Sequence, residues 1–229
     1  MADSNAERPL RKISTAFKEL AATVSSPSPE VSVAQFSHAC SLVSPLFGCL
    51  GIAFKFAQMD YVAKVEDLAK ASSSVSTLVV MMERDIEANC VRKAGSHTRN
   101  LLRVKRGLDM VKALFEEIIA SEGNNSLKDP ASKSYDQVFR PHHGWVIQKA
   151  VALGMCALPT RSQLLTVLNE EGECINSIHT YSCNAVRTYS MSNPVFKIIN
   201  FGNSNRNLFE IDVGLCSRHI MVHFGVGMC

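Results

Sequence analysis

Three arginines, Arg99, Arg103 and Arg106, recur at intervals of 4 and 3 in the segment RNLLRVKRGLDMVKALF. At 100° per residue, a helix brings them within about 60° of one another. Guanidiniums so placed repel one another unless an anion sits between them, and their planar forks suit phosphate oxygens. Met110 and Leu114 extend the same face, so a cationic patch runs into an apolar one, as an amphipathic ligand requires. The plain alternative is a solvated basic face. Asp60 and Lys64 in AQMDYVAKVEDLAK stand i,i+4 on a helix, which is also the spacing of an ordinary surface ion pair.

A third feature is FRPHHGW at 139–145, a bend ahead of a helix. Adjacent histidines rarely point at one ion, and no HExxH or Cys/His spacing supports them, so no metal is expected. A lone histidine on an apolar face, the plain reading of His143, is more often a satisfied core donor. Trp145, the single tryptophan, belongs either in the core or at an interface, because its ring is apolar with one wet edge. No nucleophile–base motif, glycine-rich phosphate loop or paired carboxylate cluster is present. The reading is therefore no enzyme, no catalytic residues and no cofactor.

The elements that must hold these groups are helical. Ile13, Phe17, Leu20 and Val24 recur at 4, 3 and 4, predicting a helix over 13–24. A helical zone over 32–71 contains Pro45, which must kink or split it. A helix over 77–90 follows. The cleanest helix runs from 98 to 120, with Leu101, Val104, Leu108, Val111, Phe115 and Ile118 as its buried stripe and Ser96 or Thr98 as N-cap. SEGNNSLKDPASK at 121–133 reads as a loop, and helices are predicted over 145–157 and 161–169. Before residue 170 no segment alternates with period 2, so the first three quarters is all-α, a bundle or a two-layer helical sandwich.

The chain has 229 residues, 46% hydrophobic and 20% charged, with a formal net charge of +3. That charge is too mild to argue for nucleic acid and suits brief contact with an anionic membrane. The N-terminus mixes acids and bases without an apolar h-region, so no secretory signal is expected. The longest uncharged run, 31–54, is broken by polar residues and Pro45, which argues against a bilayer span. The eight cysteines form no CxxC pair and are expected as free thiols in a reducing, cytoplasmic setting. After Glu170 the texture changes: residues 171–229 hold four basic and four acidic residues and half the cysteines, without helical periodicity. The domain reading is a flexible 1–12, a folded 13–170, and an irregular, poorly ordered tail over 171–229.

Asp60-to-Lys64, Arg99-to-Phe115, and SYDQVFRPHHGWVIQKAVALGMCALP over 134–159, taken in this order, resemble the glycolipid-transfer-protein superfamily, in its ceramide-1-phosphate-binding branch. The combination of DxxxK, RxxxRxKRGL and HxW carries the resemblance over residues 10–170. It implies a two-layer all-helical sandwich with a headgroup site at the surface and the lipid chains between the layers. It further implies that Asp60 accepts hydrogen bonds from the ceramide amide and hydroxyl, that His143 donates to the ceramide carbonyl, and that Lys64, Arg99 and Arg103 hold the phosphate. Arg106 supports them and Trp145 touches the membrane. Glycolipid-binding members resemble one another in carrying a tryptophan where this chain has Arg103, so phosphate is expected over sugar. The implied function is transfer of ceramide 1-phosphate between membranes by a cytoplasmic protein that touches membrane surfaces transiently. The alternatives are a lipid-sensing scaffold using the same pocket and a glycolipid carrier.

Overall fold

A computed structural model of the chain describes residues 9–24, 30–121 and 125–168. The expected tail over 171–229 lies outside them. Among the described residues nine α-helices form: α1 (Pro9–Val24), α2 (Val33–Ser41), α3 (Ser44–Cys49), α4 (Lys55–Ala71), α5 (Leu78–Glu87), α6 (His97–Ala120), α7 (Lys128–Val138), α8 (Trp145–Gly154) and α9 (Arg161–Val167). Short 3₁₀ turns sit at Ile52–Phe54, Arg140–His142 and Met155–Ala157. Extended pairing among the described residues is limited to the isolated bridges Ser32–Thr77 and Ser126–Thr160. The all-α sandwich read from the sequence is what forms.

Local chemistry sets the boundaries. Helix α1 begins at Pro9, whose fixed φ suits a first turn and whose missing N–H costs nothing there. Leu10 is 2% exposed, so the apolar stripe starts one turn earlier than Ile13, and residues 9–12 belong to the helix. Pro45 sits in the first turn of α3 and separates it from α2. Gly51 makes a second break, at φ 92°, ahead of α4, a conformation that costs most residues a Cβ clash.

Helix α7 corrects the predicted loop over 121–133, since it begins at Lys128. Its Pro130 stands in the first turn, where proline is tolerated. Its buried face is Pro130, Ala131, Ser134 and Tyr135, a helical stripe made mostly of small residues, which a search for large apolar side chains misses. The predicted helix over 145–157 ends as α8 at Gly154, followed by a 3₁₀ turn.

Helix α6 is the centre of the molecule, packed against α4, α5 and α7. Its start is fixed by polar groups of its neighbours. Ser96 caps it by accepting from the Arg99 N–H and donates to Asp85 of α5 at 2.8 Å, while the Thr98 N–H donates to Asp85 at 2.7 Å. Burial pushes the Asp85 carboxyl up, but these hydrogen bonds outweigh burial and hold it below the ordinary range. On α4, Asp67 accepts from Asn100 Nδ2 and pairs with His97 Nδ1, each at 2.8 Å.

Further along, the backbones of α4 and α6 approach at Gly107. A Cβ there would stand 2.7 Å from the Tyr61 ring, and Tyr61 continues across the core to donate to the Cys40 carbonyl at 3.0 Å. The predicted stripe on α6 is buried at Leu101, Val104, Leu108, Phe115 and Ile118 and half-buried at Val111, and Met110 and Leu114 are buried too.

Candidate functional site

The register that Gly107 and Asp67 impose brings the middle of α4 against the arginine face of α6. Asp60 sits between two cations: Lys64 Nζ is 2.9 Å from its Oδ1 and Arg103 Nη2 is 3.4 Å from its Oδ2. The three side chains are between 20% and 47% exposed, so the cluster is open to a ligand. Ion pairs this exposed contribute little stability. The spacing of Asp60 and Lys64 thus forms more than a lone surface pair, because a second helix supplies a second cation to the same carboxylate.

Arg106 lies one turn after Arg103 and is half-buried. Burial lowers its pKa first and the Arg103 charge lowers it further, against the opposing pull of Asp109. The two guanidiniums therefore work against each other, as expected where an anion is to be received. Arg99 lies one turn before Arg103 on α6, about 6 Å along the axis, and is half-buried.

His143 reaches the same region from the bend between α7 and α8. Burial, then Arg106, then Arg103 lower its pKa, so the imidazole stands in the field of the α6 arginines and its protonation is disfavoured. His142 is lowered by burial, Arg106 and His143. The His143 ring is held on several sides. Tyr135 Oη lies 3.0 Å from its Nδ1, Phe139 stacks on it with centroids 5.3 Å apart and planes at 15°, and Gln148 Nε2 donates to its backbone carbonyl at 2.7 Å.

Of the residues singled out in the sequence, Asp60, Lys64, Arg103, Arg106 and His143 thus share one neighbourhood, with Arg99 one turn away. Tyr135, Phe139 and Gln148 were not singled out, and no motif rule points to a tyrosine eight residues before a histidine.

Past the cations, α6 leads inward. Met110 and Leu114 are 8% and 4% exposed, which places them in the interior rather than on a continued surface face. Leu114 lines an apolar space with Phe47, Leu50, Phe115, Leu164 and Leu168. Its volume is about 20 Å³, near that of one water, so an acyl chain enters only if the helices part.

Beside the cations the surface is apolar. Trp145 is 70% exposed, Val146 71% and Leu153 75%, and α8 buries no residue among its ten. Ile52, Phe56 and Met59, spaced 4 and 3, are 89%, 83% and 60% exposed on the adjoining turn and on α4. The turn at Ile52–Phe54 contacts α8, so the two apolar groups are neighbours, and Met59 directly precedes Asp60. Trp145 is thus a surface residue and not part of the core. No helix of the described residues is long and apolar enough to cross a membrane, and no cluster of metal-ligating side chains occurs among them.

Comparison with known proteins gives the family and the fold. The chain is 77% identical over 182 residues to Accelerated cell death 11 of Arabidopsis thaliana, spanning 80% of this chain and 88% of that one. The crystal structure of the D60N mutant of Arabidopsis ACD11 complexed with C12 ceramide-1-phosphate matches with a TM-score of 0.82 at 66% identity, covering 87% of this chain and 98% of that one. Mouse Ceramide-1-phosphate transfer protein, in its apo form, matches with a TM-score of 0.68 at 19% identity over 87% of this chain and 98% of that one, a likeness of fold alone. The family described as Glycolipid transfer protein (GLTP) matches residues 31–170, and this chain belongs to it.

Proposed function

We propose that this chain binds ceramide 1-phosphate and carries it between membranes without chemical conversion. The observation that carries the reading is the passage from an exposed cation cluster into an apolar interior along one helix. A cation cluster on Lys64, Arg103 and Arg106 adjoins a carboxylate and a histidine whose protonation is disfavoured, leads along α6 to buried Met110 and Leu114, and is flanked by exposed apolar side chains of α4 and α8.

In this reading the phosphate lies between Lys64, Arg99 and Arg103, whose charge-assisted hydrogen bonds are about twice as strong as neutral ones. Arg106 raises the local potential from behind. Asp60 accepts from the amide N–H and hydroxyl of the ceramide, and His143 donates to its carbonyl. The acyl and sphingoid chains enter between the helices next to Leu114. At about 0.8 kcal/mol per CH₂, shielding these chains from water is the main energetic task of transfer. Trp145 and its neighbours rest on the bilayer while the lipid passes, and the protein works in the cytoplasm, at membrane surfaces only transiently. The relative's D60N complex with C12 ceramide-1-phosphate supports this choice of lipid.

The test is transfer of labelled ceramide 1-phosphate between vesicles, with analysis of the recovered lipid. Transfer of unaltered lipid, lost in Arg103→Ala, is the expected result. Binding without transfer would favour a sensor, and a changed lipid would make the protein an enzyme.

A further inference from the structure

The hydroxyl of Tyr135 is placed where it decides which nitrogen of His143 carries the proton. Tyr135 is 8% exposed, and its Oη lies 3.0 Å from His143 Nδ1. A neutral imidazole has one donor and one acceptor nitrogen, whereas a phenol both donates and accepts. Among the described residues no carbonyl or carboxylate is hydrogen-bonded to this hydroxyl. In this part-buried position a hydroxyl proton with no acceptor bears part of the cost of its desolvation. The economical arrangement has Tyr135 donating and Nδ1 accepting, which leaves the imidazole proton on Nε2, at the opposite edge of the ring.

We propose that Tyr135 is a positioning residue for headgroup recognition, holding His143 in the Nε2–H form so that this N–H can meet the lipid's amide carbonyl. The proposal rests on the headgroup reading above. Its surroundings fit it. Phe139 stacks on one face of the imidazole and Gln148 pins the backbone carbonyl of His143, so the ring is restrained against rotation. Burial together with Arg106 and Arg103 disfavours the imidazolium, and burial with Asp136, against the pull of Arg140, keeps the phenol protonated. Both partners therefore keep the protonation states that the bond requires. With the other tautomer, Nε2 would present a lone pair to a carbonyl oxygen, and the two would repel.

Tyr135→Phe removes one oxygen and keeps the ring. The ¹⁵N shifts of His143 in the full chain, read by long-range proton correlation, are expected to show bare Nδ1 and protonated Nε2. In Y135F a mixture of tautomers is expected. Binding of C12 ceramide 1-phosphate should weaken by about threefold to tenfold, the scale of one neutral hydrogen bond. In a His143→Ala background, the added Y135F change should cost nothing further. A proton found on Nδ1 of the wild type, or unchanged lipid affinity in Y135F, overturns the proposal. So does an equal loss in the H143A background, which would make Tyr135 a direct ligand or a fold residue. If H143A alone leaves lipid binding intact, the headgroup reading itself fails, and the functional half of the proposal with it. The tautomer is measured independently of that result.

Discussion

Tyr61 rests its ring on the backbone of Gly107, at a point where any Cβ would come within 2.8 Å of two ring carbons. That contact sets how closely α4 approaches α6, and it lies one residue from Asp60 on α4 and one from Arg106 on α6. Gly107→Ala must push Tyr61 aside, and Tyr61 is fixed at its far end by the Cys40 carbonyl and packs on Phe47 at 4.8 Å. The expected cost is about 1–3 kcal/mol, the range for overpacking a core, although alanine has the better helix propensity. A lowered urea midpoint with an unchanged m-value checks this. An unchanged midpoint would show that the ring yields freely.

Arg103 is the cation that the family resemblance implies is selective for phosphate, and it is 3.4 Å from Asp60. Arg103→Ala should weaken ceramide 1-phosphate binding by about 1.5–3 kcal/mol, the scale of a charged hydrogen bond. Neutral ceramide should bind nearly as before. Calorimetric titration with short-chain forms of both lipids separates the two, and equal losses would assign Arg103 to the fold.

The helix-borne part of this site was legible because helices convert spacing into geometry. Arg99, Arg103 and Arg106 lie on one face of α6 by arithmetic alone. The meeting of Asp60 with Arg103 across 43 positions was legible only through the family resemblance, since no local rule joins α4 to α6. What fixes that meeting, Gly107 beneath Tyr61 and Asp67 on Asn100, is tertiary packing. Helix α7 escaped because its buried face is built on Pro130, Ala131 and Ser134, residues that also compose loops. With α7 unread, the link from Tyr135 to His143 was out of view. Leu10 was passed over for a related reason, as it lies among the charged and polar residues of the first twelve.

His143 and His142 both have pKa values pushed below the ordinary 6.5, by burial first and then by Arg106. The unfolded chain therefore binds more protons than the native one between that ordinary value and the depressed native values. Stability from these residues is fully present above the ordinary value and falls as pH drops through the native ones. A His142→Gln, His143→Gln double variant should lose stability less steeply on acidification than the parent, as read from urea midpoints across this window. A bound phosphate would offset the arginine field, so the His143 titration followed by NMR should move upward when ceramide 1-phosphate is added. A downward move would place the anion elsewhere.

Trp145 stands 70% exposed at the start of α8, near Ile52 and Phe56 on the adjoining turn and helix. Side chains this apolar gain by leaving water, and tryptophan favours the membrane interface, where its ring is buried and its N–H stays wet. Its single occurrence makes fluorescence a specific reporter. Emission should shift to the blue when anionic vesicles are added, and less so with neutral vesicles if basic residues such as Lys149 on α8 contribute. Trp145→Ala and Phe56→Ala should each slow transfer between vesicles several-fold, while affinity for short-chain lipid in solution changes little, because neither side chain belongs to the cation cluster. The two substitutions combined should slow transfer further, since both side chains would lie on one docking face. An unshifted spectrum, or a loss of solution affinity equal to the loss of transfer, would remove this face from the membrane and return α8 to a role in lipid binding or folding.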